Sequence, residues 1–171
     1  MICSLSSFDD DVDVSIGSDS IIHSHVRISS SSSSSSSPCS CSIGEKNIIE
    51  EHVRICGNSR IGHGNIIEVH STIEDSIIGD FNRISPRASI KGSSVIGNGC
   101  IIGPGLVLDG VSIPDNTAVY AVNGSGNGNG NRWRCGPADN SITYPLGEAM
   151  RTALLDPKSP QCLTNFFQQR G

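Results

Sequence analysis

Aliphatic residues recur along most of this chain at intervals of six residues. The positions that carry this pattern are Ile43, Ile49, Ile55, Ile61, Ile67, Ile73, Ile78, Ile84, Ile90, Ile96, Ile102 and Leu108. Only the step from Ile73 to Ile78 is one residue short. Glycine follows every third position, so that a period of about 18 residues overlies the shorter one. Six residues per unit and three units per period predict a parallel β-helix with three strands in each coil.

The pattern extends to both sides of this stretch and predicts about five coils over residues 16–120. An earlier coil begins at Ile16, and the next Ile-Gly pair comes 27 residues later, which is one period plus nine residues. Nine consecutive serines, residues 29–37, account for the excess. Serine has no apolar side chain to bury, so we expect a Ser-rich loop insertion over residues 29–42, with Cys39 and Cys41 in its solvated part.

Polar positions inside the repeat are as regular as the aliphatic ones. Asn47, Asn65 and Asn82 occupy one column, and their amides are expected to stack as a ladder that satisfies buried backbone groups. The glycine column that follows isoleucine predicts either unusual backbone torsions or a close approach between coils.

The two ends of the chain depart from the repeat. Residues 1–15 match it poorly. Residues 121–145 are rich in glycine and asparagine, which predicts a flexible linker. In residues 146–171, apolar side chains at Leu146, Ala149, Met150, Ala153 and Leu154 follow helical spacing, which predicts a short C-terminal helical tail.

Composition and charge exclude several functional classes. The net charge of −5 and the pI near 5.4 argue against a dedicated nucleic-acid-binding protein. The sequence contains no apolar stretch of about 18 residues, so no direct membrane insertion is expected. Seven cysteines occur without a CxxC pair, a pattern that favours neither a disulfide framework nor a zinc site. We therefore expect no cofactor.

Counting along the six-residue pattern predicts a column of basic side chains on one corner of the coils. His25, His52 and His70 should stack in consecutive coils, with Arg87 next in line. Neighbouring columns complete a candidate interaction face that points outward. The members of this face are His25, Arg27, Glu50, His52, Arg54, Glu68, His70 and Arg87. Three interpretations stay open: a solvated polar ladder, a partner-binding face, and a weak surface metal site.

Enzymes also use this kind of repeat. Gamma-class carbonic anhydrases hold zinc with histidines of a Gly-His-x-x-x-x-His stretch. Gly62-His63 matches its start, but Glu68 occupies the second histidine position, and His70 lies two residues late. Acyl transfer would need a histidine with an acid that orients it, such as His63 with Asp80. The pattern thus argues against the zinc site, and no other feature supports a coenzyme A or sugar-nucleotide pocket. A hexapeptide enzyme stays the alternative.

Several segments together resemble the dynactin subunit 6 family. These are Ser15-Ile-Gly-Ser-Asp-Ser-Ile-Ile-His23, Ile43-Gly-Glu-Lys-Asn-Ile-Ile-Glu-Glu51, Ile61-Gly-His-Gly-Asn-Ile-Ile-Glu-Val69, Ile78-Gly-Asp-Phe-Asn-Arg-Ile84, Val95-Ile-Gly-Asn-Gly-Cys-Ile-Ile-Gly103 and Ile113-Pro-Asp-Asn-Thr-Ala-Val-Tyr120. The resemblance implies an all-β, left-handed parallel β-helix of hexapeptide repeats. It further implies a non-catalytic subunit at the pointed end of dynactin, in the cytoplasm and on the cytoskeleton. The implied partners are dynactin subunit 5 and other pointed-end subunits, and indirectly dynein and cargo adaptors.

Overall fold

The computed structural model describes residues 1–30, 39–121 and 133–138, together with Ala149. The described residues form short strands joined by tight corners. The strands are β1 (Ser7–Phe8), β2 (Val12–Ile16), β3 (Ile21–Ile22), β4 (Arg27–Ser29), β5 (Cys39–Ile43), β6 (Ile48–Ile49), β7 (Arg54–Cys56), β8 (Arg60–Ile61), β9 (Ile66–Ile67), β10 (Thr72–Glu74), β11 (Ile77–Ile78), β12 (Arg83–Ile84), β13 (Ser89–Lys91), β14 (Val95–Ile96), β15 (Ile101–Ile102), β16 (Val107–Asp109), β17 (Ser112–Ile113), β18 (Thr117–Ala121) and β19 (Trp133–Pro137).

The strands assemble into three sheets that form the sides of a prism. From β4 to β18, each strand pairs in parallel with the strand three places earlier in the chain. The first sheet runs β1-β4-β7-β10-β13-β16, the second β2-β5-β8-β11-β14-β17, and the third β3-β6-β9-β12-β15-β18-β19. This topology confirms the predicted parallel β-helix, and it contains about six coils instead of the five expected.

The interior is built from stacked isoleucines. Ile49, Ile67, Ile84 and Ile102 lie in register on one side of the prism, each with 0% of its surface exposed. β-Branched side chains pack well on pleated surfaces, and each buried isoleucine contributes about 1.5–3 kcal/mol. The six-residue pattern therefore marks the core.

The asparagine ladder is present and is fully buried. Asn47, Asn65 and Asn82 each have 0% exposure. The Asn47 side-chain oxygen accepts the Asn65 backbone N–H at 2.8 Å, and the Asn65 oxygen accepts that of Asn82 at 2.8 Å. The Asn82 oxygen accepts the N–H of Cys100 at 2.6 Å. Each amide thus satisfies a backbone donor of the next coil, which confirms the prediction.

The glycine of the Ile-Gly repeat allows close approach between coils. A Cβ atom added at Gly62 would lie 2.7 Å from the Gly79 carbonyl oxygen, and one at Gly44 would lie 2.6 Å from the Gly62 carbonyl oxygen. Neither glycine has a positive φ. Of the two explanations open at the level of sequence, close approach is therefore the one that the structure supports.

The N-terminal segment, residues 1–15, builds the additional coil. Ser7 and Phe8 of β1 pair with Arg27 and Ile28 of β4, and Ile2 forms a bridge with Ile22. The step from Ile2 to Phe8 is six residues, as is the step from Ile22 to Ile28. The six-residue pattern is therefore present in this segment over one unit only.

The predicted Ser-rich loop is shorter than residues 29–42, because both of its ends form strands. Ser29 ends β4, and β5 begins at Cys39; residues 31–38 lie outside the described residues. Cys39 and Cys41 are 8% and 0% exposed, so their expected place in a solvated loop is wrong. They alternate with outward residues along β5 and face the core. Burial, with the nearby Cys56, raises the pKa of the Cys41 thiol to about 12.

The predicted linker, residues 121–145, contains a strand that the sequence pattern does not predict. β19 pairs with β18 in antiparallel fashion, from Thr117 with Pro137 to Ala121 with Trp133. The helical tail expected at residues 146–171 lies outside the described residues, apart from Ala149. Among the described residues, no helix is long and apolar enough to cross a membrane.

Candidate interaction face

One corner of the prism carries the predicted basic column. This corner joins each strand of the third sheet to the following strand of the first sheet, as between β3 and β4. Its third residue has a positive φ in successive coils: 57° at His25, 59° at His52 and His70, and 60° at Arg87. Histidine is enriched in this left-handed region compared with most residues, so the backbone tolerates it here.

The three histidines form a continuous stack. The ring centroids of His25 and His52 are 4.9 Å apart with an interplanar angle of 5°, and those of His52 and His70 are 4.8 Å apart at 7°. These distances equal the spacing of adjacent strands in a sheet, so the stack follows from the coil repeat. All three residues are exposed. The predicted stack is therefore present at the surface.

Two arginines lie beside this stack, on the adjoining face. Arg27 of β4 and Arg54 of β7 are direct partners in the first sheet, and Thr72 of β10 is the next residue in their column. Both arginines are exposed, and neither forms an ion pair within the described part of the chain. Like charges directly opposite each other in a sheet are destabilising, so this pair carries a local cost.

The stack and the arginines share an open groove of about 550 Å³. The residues that line it are Leu5, Ser7, His25, Val26, Arg27, His52, Arg54 and His70. Five of the predicted face residues are therefore brought together in one groove. Arg87 extends the same corner column beyond it, with the same backbone conformation as the histidines.

The two glutamates of the predicted face do not line the groove. A side-chain oxygen of Glu50 accepts the backbone N–H of Val69 at 3.1 Å, and burial raises the pKa of the Glu50 carboxyl. Glu68 forms an ion pair with the guanidinium of Arg83, and only 12% of the Glu68 side chain is exposed. Both carboxylates are only partly exposed, because each has a partner in the next coil.

Leu5 and Ser7 belong to the groove, and the sequence pattern did not find them. They come from the N-terminal coil, where Leu5 accepts the His25 backbone N–H through its carbonyl at 3.3 Å, and Ser7 pairs with Arg27. The six-residue step from Ile2 to Phe8 is the signal in the sequence that places them there.

His63, the histidine considered for an enzymatic role, lies on a different corner, where its side chain binds a backbone N–H of the preceding coil. Its Nδ1 accepts the backbone N–H of Glu45 at 3.0 Å. Asp80 contacts the backbone N–H of His63 at 2.7 Å through Oδ1. Asp80 in turn donates its own backbone N–H to Asn98 at 2.7 Å. These residues form an exposed ladder in which each side chain satisfies a backbone donor of the preceding coil.

A metal site is not assembled in the part of the chain that the structure describes. There, no group of three or more His, Cys, Asp or Glu residues has the arrangement needed to hold a metal ion. In the histidine stack, the rings are nearly parallel and separated by one strand spacing, so they do not converge on a common point.

The fold is that of a left-handed β-helix protein of hexapeptide repeats. Two solved structures share the fold. A hexapeptide transferase family protein from Anaplasma phagocytophilum has a TM-score of 0.66 at 12% identity and covers 88% of both chains. A UDP-N-acetylglucosamine O-acyltransferase (LpxA) from Moraxella catarrhalis has a TM-score of 0.57 at 18% identity and covers 98% of this chain and 91% of its own. The chain belongs to the family described as the GMPPB C-terminal domain, whose model matches residues 32–123.

Two kinds of characterised protein are similar in sequence. Dynactin subunit 6 of Nematostella vectensis is 30% identical over 124 residues, or 63% of this chain and 64% of that protein. Dynactin subunit 6 of Dictyostelium discoideum is 35% identical over 83 residues, or 46% of this chain and 44% of that protein. The bifunctional protein GlmU of Clostridium botulinum is 34% identical over 109 residues, which are 64% of this chain and 21% of GlmU. The chain therefore resembles dynactin subunit 6 and spans less than two thirds of each of these relatives.

Proposed function

We propose that the chain is a non-catalytic assembly subunit of a dynactin complex, at its pointed end. Its partners are dynactin subunit 5 and the other pointed-end subunits, and it supports dynein-driven transport along microtubules through cargo adaptors. The similarity to dynactin subunit 6 of two organisms supports this assignment. A place in the cytoplasm, on the cytoskeleton, follows from the same proposal.

The environment of His63 is the observation that carries the non-catalytic part of the proposal. A histidine base works when its second ring nitrogen donates to an acid that orients it. In this chain, Nδ1 of His63 is an acceptor, and the Asp80 carboxylate binds a backbone N–H instead of the ring. The pair therefore stabilises a corner of the β-helix, and Asp80 does not orient a catalytic base.

The enzymatic alternative is a hexapeptide enzyme related to acyltransferases or to gamma-class carbonic anhydrases. The similarity to GlmU favours it as a second candidate. A carbonic anhydrase site would need a second histidine five places after His63. That position is Glu68, which forms an ion pair with Arg83. Zinc is usually held by imidazole and thiolate ligands of fixed geometry, so this substitution counts against the site.

Isolation of the full chain from its own organism tests the proposal. We expect a tagged chain to co-purify with dynactin subunits, which mass spectrometry would identify, and an extract from cells with the untagged chain provides the control. Recovery of a homo-oligomer that hydrates CO₂ or transfers an acyl group, with that activity lost in His63→Asn, would contradict the proposal and support the alternative.

A further inference from the structure

We propose that the groove binds an extended acidic segment of a partner protein. The binding surface, called the basic strip below, consists of His25, His52, His70, Arg87, Arg27 and Arg54. This inference rests on the proposed assembly function, because it states the chemistry by which one partner is recognised. It adds to that function a defined site and a defined class of ligand.

The charge distribution is the first argument for an acidic ligand. The chain has a net charge of −5, yet none of the described residues that line this groove is a carboxylate. Arg27 and Arg54 are aligned in register and lack an ion pair among the described residues. Placing two like charges opposite each other is unfavourable unless an anion lies between or above them. A carboxylate side chain of a partner would supply that anion, because guanidinium groups bind carboxylates through paired hydrogen bonds.

The neighbouring glutamates do not neutralise the basic strip. Glu50 accepts the Val69 N–H, and Glu68 is bound to Arg83. Glu51, which precedes His52, accepts a hydrogen bond from the Ser24 hydroxyl at 3.5 Å. Each of these carboxylates is held by another group, and none of them forms an ion pair with Arg27 or Arg54 among the described residues, so both guanidinium groups are available to an external carboxylate.

The dimensions of the basic strip fit a short extended peptide. From His25 to Arg87 the column crosses three coil steps of about 4.8 Å each, or about 14 Å. An extended chain rises about 3.3 Å per residue, so about five residues cover this length. Leu5, which is 62% exposed at one end of the groove, offers an apolar contact beside the charges. The groove thus favours an extended acidic segment with an apolar residue at one end.

Arg27→Thr combined with Arg54→Thr tests the proposal without disturbing the coil. Thr72 occupies the same column one coil further on, so threonine is compatible with the position. The probe is a fluorescent eight-residue peptide in which glutamate alternates with serine and one end carries leucine, measured by anisotropy with the full chain. We expect binding that weakens about tenfold or more in the double variant.

Two controls separate the site from general electrostatics. Arg60→Thr removes an exposed arginine from β8, in another sheet, and should leave the peptide affinity within about twofold of that of the unaltered chain. The same peptide with lysine in place of glutamate should not bind. Equal weakening by Arg60→Thr, no binding of the acidic peptide, or its displacement by millimolar inorganic phosphate or by a short oligonucleotide would each overturn the proposal.

Failure of the proposed peptide binding can be distinguished from failure of the proposed assembly function. If the chain co-purifies with dynactin subunits but does not bind the acidic peptide, the basic strip is not the recognition site and the assembly function stands. If the peptide binds but the chain is recovered as a catalytically active homo-oligomer, the assembly function is wrong. The melting temperature of the double variant checks that lost binding is not caused by unfolding. We expect it to equal or exceed that of the unaltered chain, because two like charges are removed.

Discussion

At the scale of single residues, two ladders of similar chemistry differ in their burial. Asn47, Asn65 and Asn82 stack inside the prism with 0% exposure. Asn98 belongs to the exposed ladder of His63, where it accepts the backbone N–H of Asp80 at 2.7 Å. Water can replace a hydrogen bond at the surface but not in the core, so the same side chain should have unequal importance at the two places.

Asn65→Ala should destabilise the fold far more than Asn98→Ala. The first change leaves the backbone N–H of Asn82 buried without its acceptor and removes the 3.1 Å hydrogen bond to Asn47. We expect a loss of about 1–3 kcal/mol in the free energy of unfolding, against less than about 1 kcal/mol for Asn98→Ala. Denaturant unfolding of both variants measures the difference, and equal losses would show that the buried ladder has no special role.

His23 provides a prediction about pH. Burial lowers the pKa of His23 below its ordinary value of 6.5, and the nearby Glu51 carboxylate partly offsets this effect. The unfolded chain therefore takes up this proton first, and stability is lost as the pH falls from 6.5 through the lower pKa of the folded state. The raised pKa of the Glu50 carboxyl has the opposite effect on stability. The folded state takes up that proton first, so this group adds stability as the pH falls.

His23→Gln should consequently flatten the acid side of the stability profile. We expect the fall in melting temperature between about pH 7 and about pH 5.5 to be smaller in the variant than in the unaltered chain. Glu50→Gln is the matched control, since it should remove a contribution that increases stability on acidification. An unchanged pH profile in His23→Gln would show that His23 has the same pKa in both states.

The six-residue pattern was sufficient to predict the positions of those side chains whose place is determined by the backbone alone. It identified the stack of His25, His52 and His70 and the asparagine ladder. It does not predict the partner of Glu68, whose side chain contacts Arg83 of the next coil at a position two columns away. Such a contact depends on side-chain torsions and on the competing partners, and neither is encoded in the repeat period.

At the scale of elements, the repeat predicted the central coils and missed the two ends. The N-terminal coil was missed because its six-residue step, from Ile2 to Phe8, occurs once and is followed by an eight-residue step to Ile16. The strand β19 was missed because Gly136 and Pro137 are unusual in a strand. Pro137 is acceptable at its end, since an edge position does not require a backbone N–H.

Trp133→Ala should test whether β19 closes the core. Trp133 is partly buried and packs against the hydrophobic cluster of the prism, whereas the next residue, Arg134, is exposed. We expect Trp133→Ala to cost about 1–3 kcal/mol in thermal or denaturant unfolding, which is less than for a fully buried tryptophan. Arg134→Ala, in the same strand, should cost less than about 0.5 kcal/mol. Similar losses in both variants would contradict a closing role for β19.

At the scale of the whole molecule, the sides of the prism have unequal chemistry. The basic strip lies on one corner, while the exposed apolar side chains Ile77 and Val95, which are direct partners in the second sheet, lie on another face. Neither surface could be assigned to a partner from the sequence, because the repeat determines which residues are outward but not what covers them. A β-helix with chemically distinct faces is suited to docking against several different subunits.

The native mass of the complex that contains this chain tests the central claim most directly. The chain should be isolated through a tag from its own organism, and the mass of the intact assembly measured. A non-catalytic subunit of dynactin predicts a large heteromeric assembly in which the 18.0 kDa chain is a minor part and dynactin subunits account for the rest. A homotrimer, with three times the mass of the chain and no other component, would contradict the account.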